Sequence, residues 1–80
     1  MKKLKSIIAG VLRIEPDTIT EETTPAMVPS WDSFNALMLV SELESKYSVK
    51  FTMEEVQSVR CVGDIRRCLV KYGAEVNDAG

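Results

Sequence analysis

The sequence predicts an all-α fold, a small bundle of three main helices and one short helix with a long loop between the first two helices. Apolar residues recur at helical spacing in three segments, and helix start and stop signals flank them. A strand pattern is absent apart from the short segment 48–51. Eighty residues suffice for one modest core. We therefore expect a single domain over 1–80, ordered over about 2–73, with 74–80 as a flexible tail.

The first helix is predicted over about residues 2–13 because one apolar stripe repeats at helical spacing, formed by Leu4, Ile7, Ile8, Val11 and Leu12. A connection rich in Thr, Glu and Pro then runs over residues 14–30. Its three prolines argue against helix there. Four apolar residues are expected to pin it to the core: Ile14, Ile19, Met27 and Val28.

The second helix is predicted over about 33–46, with Asp32 or Ser30 as its N-cap. Thr52 and Glu55 form a capping-box pattern, which predicts a short third helix over about 53–58. The fourth helix begins near residues 63–64 and ends at Gly73. Its inward side is predicted to hold Val62, Ile65, Leu69 and Tyr72, and its outward side Arg66, Arg67 and Lys71.

Composition argues against several classes of protein. The formal charge is −2, and residues 14–58 hold nine acids against two lysines, so their surface should repel nucleic acid and favour basic partners. No apolar run is long enough to insert across a membrane. Because Arg13 interrupts the apolar start and no small-residue cleavage site follows, we expect a cytoplasmic protein. Cys61 and Cys68 are expected to be reduced, and with no histidine a zinc site lacks ligands.

The second helix has two apolar sides. At about 100° per residue, one side is the core side, formed by Ala36, Leu39, Val40, Leu43 and Tyr47. The opposite patch holds Phe34, Leu37, Met38 and Ser41, with Glu42 and Glu44 nearby. A surface cluster of Leu, Met and aromatic side chains flanked by acids is typical of protein docking. The alternative is that the loop or the fourth helix buries this patch. We call these six residues the docking face.

Ser33 stands at the start of the second helix, where a serine is usually a cap. Asp32 can cap as well, so the Ser33 hydroxyl is not needed for that role. The chain has no histidine to activate it as a nucleophile, and the domain is too small to enclose a carboxylate pair, so we expect no catalytic site. A helix N-terminus does tolerate a phosphodiester, because its N–H groups and dipole favour negative charge.

The run Asp32-Ser33-Phe34, followed by an apolar helix that ends in Leu43-Glu44 and Tyr47, resembles the attachment motif of acyl carrier proteins. The first helix and segments 14–20, 48–56 and 62–65 match that family in order and spacing. The resemblance implies that a phosphopantetheinyl transferase attaches 4′-phosphopantetheine from coenzyme A to Ser33, using Mg²⁺, and that Asp32 assists its recognition. The arm then carries acyl thioesters, and growing chains can fold back between the helices.

The resemblance also implies that partner enzymes contact the docking face, among them an acyl-loading ligase or acyltransferase and a ketosynthase. Phe34 replaces the usual Leu, Asn35 and Met38 stand where fatty-acid carriers have acids, and Trp31 precedes the Asp-Ser pair. These departures indicate a discrete carrier of a specialised lipid, polyketide or saccharide pathway, and we expect it to be a monomer. An aminoacyl carrier, peptidyl or D-alanyl, stays open, as does an unmodified docking module. Cys61 replaces the usual Thr or Ser before the last helix, which predicts a weaker cap.

Overall fold

Four α-helices form the protein in a computed structural model that describes residues 2–74 and residue 76. They are α1 (Lys2–Leu12), α2 (Ser33–Tyr47), α3 (Met53–Ser58) and α4 (Val62–Lys71). The predicted all-α bundle, with three main helices, one short helix and a long first loop, is confirmed. None of these helices is long and apolar enough to cross a bilayer.

The core lies where α1, α2 and α4 meet. Most of the predicted apolar sides are buried there, including Leu4, Ile8, Leu12, Leu39, Leu43, Val62, Ile65 and Leu69. One inward prediction is wrong: Tyr72 is 39% exposed, because its hydroxyl donates a hydrogen bond to the Glu55 carboxylate at the surface. The hydrogen bond of the hydroxyl thus keeps the side chain at the surface, although burial of its ring would be favourable.

The three main helices end in the same way, with one residue in the left-handed region followed by a backbone bond to the last helical turn. The left-handed residues are Arg13 (φ 59°), Ser48 (φ 54°) and Gly73 (φ 82°). The next N–H groups donate to the carbonyls of Ala9, Glu44 and Leu69 over 3.2, 3.2 and 2.9 Å. These contacts define Schellman motifs. The predicted stop at Gly73 is confirmed, whereas Arg13 and Ser48 hold a conformation that favours glycine.

The long loop contains two short 3₁₀ helices, Pro16–Thr18 and Pro25–Met27. The expectation that its prolines exclude helix is therefore wrong at these two positions. In both, proline is the first helical residue, where the missing N–H has no intrahelical partner to lose. Ile19 and Val28 pin the loop to the core as predicted, but Met27 is 64% exposed.

The same loop docks on the N-terminus of α4. The N–H groups of Val62 and Gly63 donate to the carbonyls of Thr23 and Glu21 over 3.0 and 2.8 Å. A Cβ at Gly63 would lie 3.0 Å from the Glu21 carbonyl oxygen, so this approach requires glycine. Cys61 makes no side-chain cap, as predicted. Loop carbonyls satisfy the helix end instead.

The expected tail at 74–80 lies mostly outside the described residues. Within it, Val76 is 1% exposed and belongs to the core, and Ala74 packs against that core. Both cysteines are half-buried free thiols.

Candidate functional site

Ser33 is the first residue of α2 and is exposed. Asp32 precedes it as the N-cap, and its Oδ1 accepts a hydrogen bond from the Asn35 N–H over 2.8 Å. The Asp32 carbonyl accepts from the Ala36 N–H at 2.8 Å. Of the two candidate caps, Asp32 therefore fills the role. Within the described residues the Ser33 hydroxyl makes no hydrogen bond, which leaves it available for chemistry.

The segment before Ser33 is held at several points. The Ser30 hydroxyl donates to the Leu12 carbonyl at the end of α1 over 2.6 Å. The Asn35 side-chain amide donates to the Ser30 carbonyl over 2.7 Å. Trp31 is only 7% exposed, and its N–H donates to the Val28 carbonyl. The segment 30–33 is thus fixed to α1 and to the core, and only Asp32 and Ser33 project from it.

A cavity of about 400 Å³ opens beside Asp32 and Ser33 and extends between α2, α3 and α4. Its wall is mainly aliphatic and aromatic, with the core side of α2 along its length. The lining side chains used below are Trp31, Leu39, Val40, Leu43, Val56 and Val59. A volume of this size falls in the range of small-molecule sites. An apolar chain attached at Ser33 could enter it directly.

Besides Asp32 and Ser33 at the mouth, the cavity wall contains two polar side chains, Glu55 and Cys68. The pKa of Glu55 is lowered to about 2, chiefly by the Thr52 N–H and then by the Tyr72 hydroxyl, with a smaller effect of Lys71. The Thr52 N–H and the Lys71 Nζ lie 2.8 and 3.1 Å from its two oxygens. Burial raises the pKa of the Cys68 thiol. At neutral pH the wall thus holds an ionised carboxylate with three hydrogen-bond donors and a neutral thiol.

The Glu55 contacts also confirm the predicted capping box. The Glu55 N–H donates to the Thr52 hydroxyl over 3.1 Å, while the Glu55 side chain accepts from the Thr52 N–H. The helix that this capping box begins, α3, forms one side of the cavity.

The docking face of α2 points to solvent over most of its length. Phe34, Leu37 and Met38 are 69%, 60% and 46% exposed, and Ser41 and Glu42 are exposed as well. Their predicted exposure is confirmed, and the alternative in which the loop or α4 buries them is excluded.

Glu44 differs from its neighbours. It is half-buried, and its Oε2 accepts a hydrogen bond from the Phe51 N–H over 2.9 Å. This bond ties the turn after α2 to the helix. Glu42 is consequently the one carboxylate of the predicted docking face whose side chain is fully presented to a partner.

Comparison with known proteins agrees with this arrangement. The family model described as the phosphopantetheine attachment site matches residues 2–69. The chain belongs to this family, that of the acyl carrier proteins. Its cofactor is accordingly 4′-phosphopantetheine, and members interact with transferases and acyl-using enzymes as carriers rather than catalysts.

Two acyl carrier proteins illustrate the similarity. That of Thermotoga maritima is 33% identical over 63 residues, which are 79% of this chain and 78% of that protein. That of Thermosynechococcus vestitus is 28% identical over 65 residues, covering 81% and 80%.

The fold is also that of solved carriers. The solution structure of the holo acyl carrier protein from Geobacter metallireducens superposes with a TM-score of 0.79 at 30% identity, covering 86% of this chain and 79% of that one. A structure from Mycobacterium tuberculosis gives 0.80 at 21% identity, covering 88% and 93%, which is a likeness of fold.

The residues present fit the cofactor. An exposed hydroxyl, the N–H groups of the first turn that the Asp32 cap does not engage and an adjoining, mainly apolar cavity meet at Ser33. Sequence reasoning placed the serine and the exposed face, but missed the polar part of the cavity wall. Glu55 was assigned only to a cap and Cys68 only to structure, because a periodicity does not show what a pocket between three helices contains.

Proposed function

We propose that Ser33 carries 4′-phosphopantetheine as a phosphodiester and that the chain presents acyl thioesters to partner enzymes. The exposed Ser33 hydroxyl beside the cavity is the observation that supports this most directly. A phosphopantetheinyl transferase supplies the chemistry of attachment, so the chain needs no base of its own. Asp32, the adjacent exposed carboxylate, is the residue we assign to recognition by that transferase.

The cavity favours an apolar acyl group over an aminoacyl group as cargo. Its wall offers aliphatic surface. Of its two carboxylates, Asp32 stands at the mouth beside Ser33, and Glu55 already accepts from Thr52, Tyr72 and Lys71. An ammonium group that moves inward past Asp32 would lose water without gaining a carboxylate that lacks other partners, which is costly. Since a dry cavity of ~150 Å³ holds the six carbons of benzene, this one has room for roughly sixteen carbons.

The docking face supports service in a specialised lipid, polyketide or saccharide pathway. Glu44 is tied to Phe51, so recognition through α2 depends on Phe34, Leu37 and Met38, with Glu42 as the exposed acid. A face with more apolar area and less charge should select partners by shape rather than by long-range attraction. We assign the loading ligase or acyltransferase and the ketosynthase to this face, and expect a monomer that works in the cytoplasm.

The first test is modification by a promiscuous phosphopantetheinyl transferase with coenzyme A and Mg²⁺, followed by mass spectrometry. The wild type should gain one arm and Ser33→Ala none. Ser45→Ala is the matched control, because it removes an exposed hydroxyl from the same helix outside the docking face and should leave modification intact. An unmodified wild type would instead support a docking module that carries no cofactor.

The second test concerns the cargo. Holo protein loaded with octanoyl or with alanyl thioester is compared by methyl NMR. The octanoyl form should shift the methyl resonances of Leu39, Leu43 and Val59, which line the cavity, and leave those of the exposed Leu37 in place. Equal shifts from the alanyl thioester would contradict the preference for apolar acyl groups and favour the aminoacyl carrier.

A further inference from the structure

Arg13 is an exposed cation in the groove beside the start of α2. The bond from the Ser30 hydroxyl to the Leu12 carbonyl, 2.6 Å long, holds the end of α1 against the segment that leads to Ser33. Arg13 follows Leu12 directly and lines the groove between α1 and α2 together with Asp32 and Phe34. Its place at the C-terminal cap sets where its side chain begins.

The Arg13 side chain has no ion-pair or hydrogen-bond partner in the described part of the chain. Arg66, Arg67 and Lys71 each pair with a carboxylate, whereas Arg13 is exposed and forms neither an ion pair nor a side-chain hydrogen bond among these residues. It also adopts φ 59°, where a side chain is disfavoured and glycine is the usual residue. A long cation therefore stands at a position that its backbone conformation does not favour.

Attachment of the arm changes the electrostatics of this corner. A phosphodiester on Ser33 adds a negative charge next to the Asp32 carboxylate, and the N–H groups of the helix start offset only part of it. Among the residues that line the cavity and the groove, two are cationic, Arg13 and Lys46. Lys46 is 13 residues along α2, roughly 20 Å from Ser33, so Arg13 is the cation at the attachment end.

We propose that Arg13 is the counter-ion of the phosphodiester on Ser33 and positions the base of the arm. The inference rests on the proposed attachment at Ser33. The guanidinium fork matches the geometry of phosphate oxygens, and its approach from the α1 side leaves the cavity mouth on the other side open for the cargo. Because the pair is exposed, it acts on the orientation of the arm and contributes only modestly to stability.

The test uses apo and holo forms of wild type, Arg13→Gln and Lys46→Gln, unfolded in urea at low salt. For each protein the ratio of the unfolding constants of apo and holo forms is measured. The unfolding constant of the holo form divided by that of the apo form should be about two- to five-fold higher in Arg13→Gln than in wild type. Lys46→Gln, an equal loss of charge in the same groove, should leave the ratio unchanged. Salt at about 1 M should remove the difference.

A second readout is the Arg13 Nε–Hε resonance in ¹⁵N-labelled wild type. It should shift between apo and holo forms and return toward the apo position at high salt. An unmoved resonance, or an Arg13→Gln ratio equal to that of wild type, overturns the pairing. Mass spectrometry of each sample separates the two proposals: a modified Ser33 without coupling to Arg13 refutes this inference alone, while an unmodified Ser33 refutes both.

Discussion

Two leucines on opposite sides of α2 offer a matched test of the site's architecture. Leu43 is 1% exposed and lies in both the core and the cavity wall, whereas Leu37 is 60% exposed on the docking face. Leu43→Ala and Leu37→Ala remove the same atoms from the same helix. Burial is therefore the main variable that differs between the two variants.

The expected loss of unfolding free energy for Leu43→Ala is about 3 kcal/mol, in the lower part of the range for buried Leu→Ala changes. The value is low in that range because one side of Leu43 already faces the cavity, so fewer packing contacts are lost. For Leu37→Ala the expected change is within about 0.5 kcal/mol, since solvent replaces the removed atoms and alanine favours helix.

Urea unfolding followed by fluorescence measures both variants. Trp31 is the one tryptophan of the chain and is 7% exposed, so unfolding transfers it to water. With a slope of about 1 kcal/mol/M for a small domain, Leu43→Ala should lower the midpoint by about 3 M. Equal midpoints for the two variants, or a greater loss in Leu37→Ala, would refute the assignment of the two sides of α2.

Three further predictions follow from single contacts. Because the pKa of Glu55 falls from 4.5 to about 2 on folding, its ionised form stabilises the fold above pH 4.5, and this contribution is lost as the pH falls toward 2. In a pH series of unfolding midpoints, Glu55→Gln should reduce the loss of stability between these two pH values. An unchanged loss would count against the Thr52 and Tyr72 hydrogen bonds as its cause. Gly63→Ala should destabilise the domain by about 1–3 kcal/mol in thermal or urea unfolding, because the new Cβ would lie 3.0 Å from the Glu21 carbonyl oxygen; a neutral result would show that the loop moves away freely. Met38→Glu should change stability by no more than about 0.5 kcal/mol, including its repulsion with Glu42 one turn away, yet weaken binding of partner enzymes to the 46% exposed side chain; an unfolded variant would contradict the outward orientation.

The parts of this fold that the sequence predicts are those fixed by neighbours along the chain. The apolar sides of α1, α2 and α4 follow from periodicity, and the capping box of α3 from two residues three positions apart. The exposure of Phe34 and Leu37 followed from an additional argument about size, that so small a bundle cannot surround a helix.

The parts that sequence reasoning missed depend on contacts between distant residues. Tyr72 belongs to an inward stripe by periodicity, but Glu55 from another helix draws its hydroxyl to the surface. Glu44 was placed on the docking face, but the Phe51 N–H engages it. The start of α4 lacks a cap in its own sequence because the carbonyls of Glu21 and Thr23 take that role.

The residues in the left-handed region after α1, α2 and α4 show the same limit of sequence reasoning for the backbone. Gly73 signals its conformation by its residue type, whereas Arg13 and Ser48 do not. At Arg13 the mismatch between residue and conformation lies beside the N-terminus of α2, where we propose attachment, and a departure from local preference is most informative at such a functional site.

The cavity and the docking face lie on opposite sides of α2 and both begin next to Ser33, so an arm attached there, as we propose, would reach both. Burying each methylene of a cargo stabilises the inward position by about 0.8 kcal/mol, and ordering the chain offsets part of that gain at a cost of roughly 0.5–1 kcal/mol for each flexible side-chain-sized segment. A two-carbon acyl group therefore gains almost nothing from the cavity and remains available at the surface. An eight-carbon chain, with about six buried methylenes, gains up to about 5 kcal/mol before that ordering cost. To draw such a chain out of the cavity, the binding of a partner to Phe34, Leu37 and Met38 has to supply the net free energy of burial. We therefore expect partner affinity and cargo length to be coupled through α2.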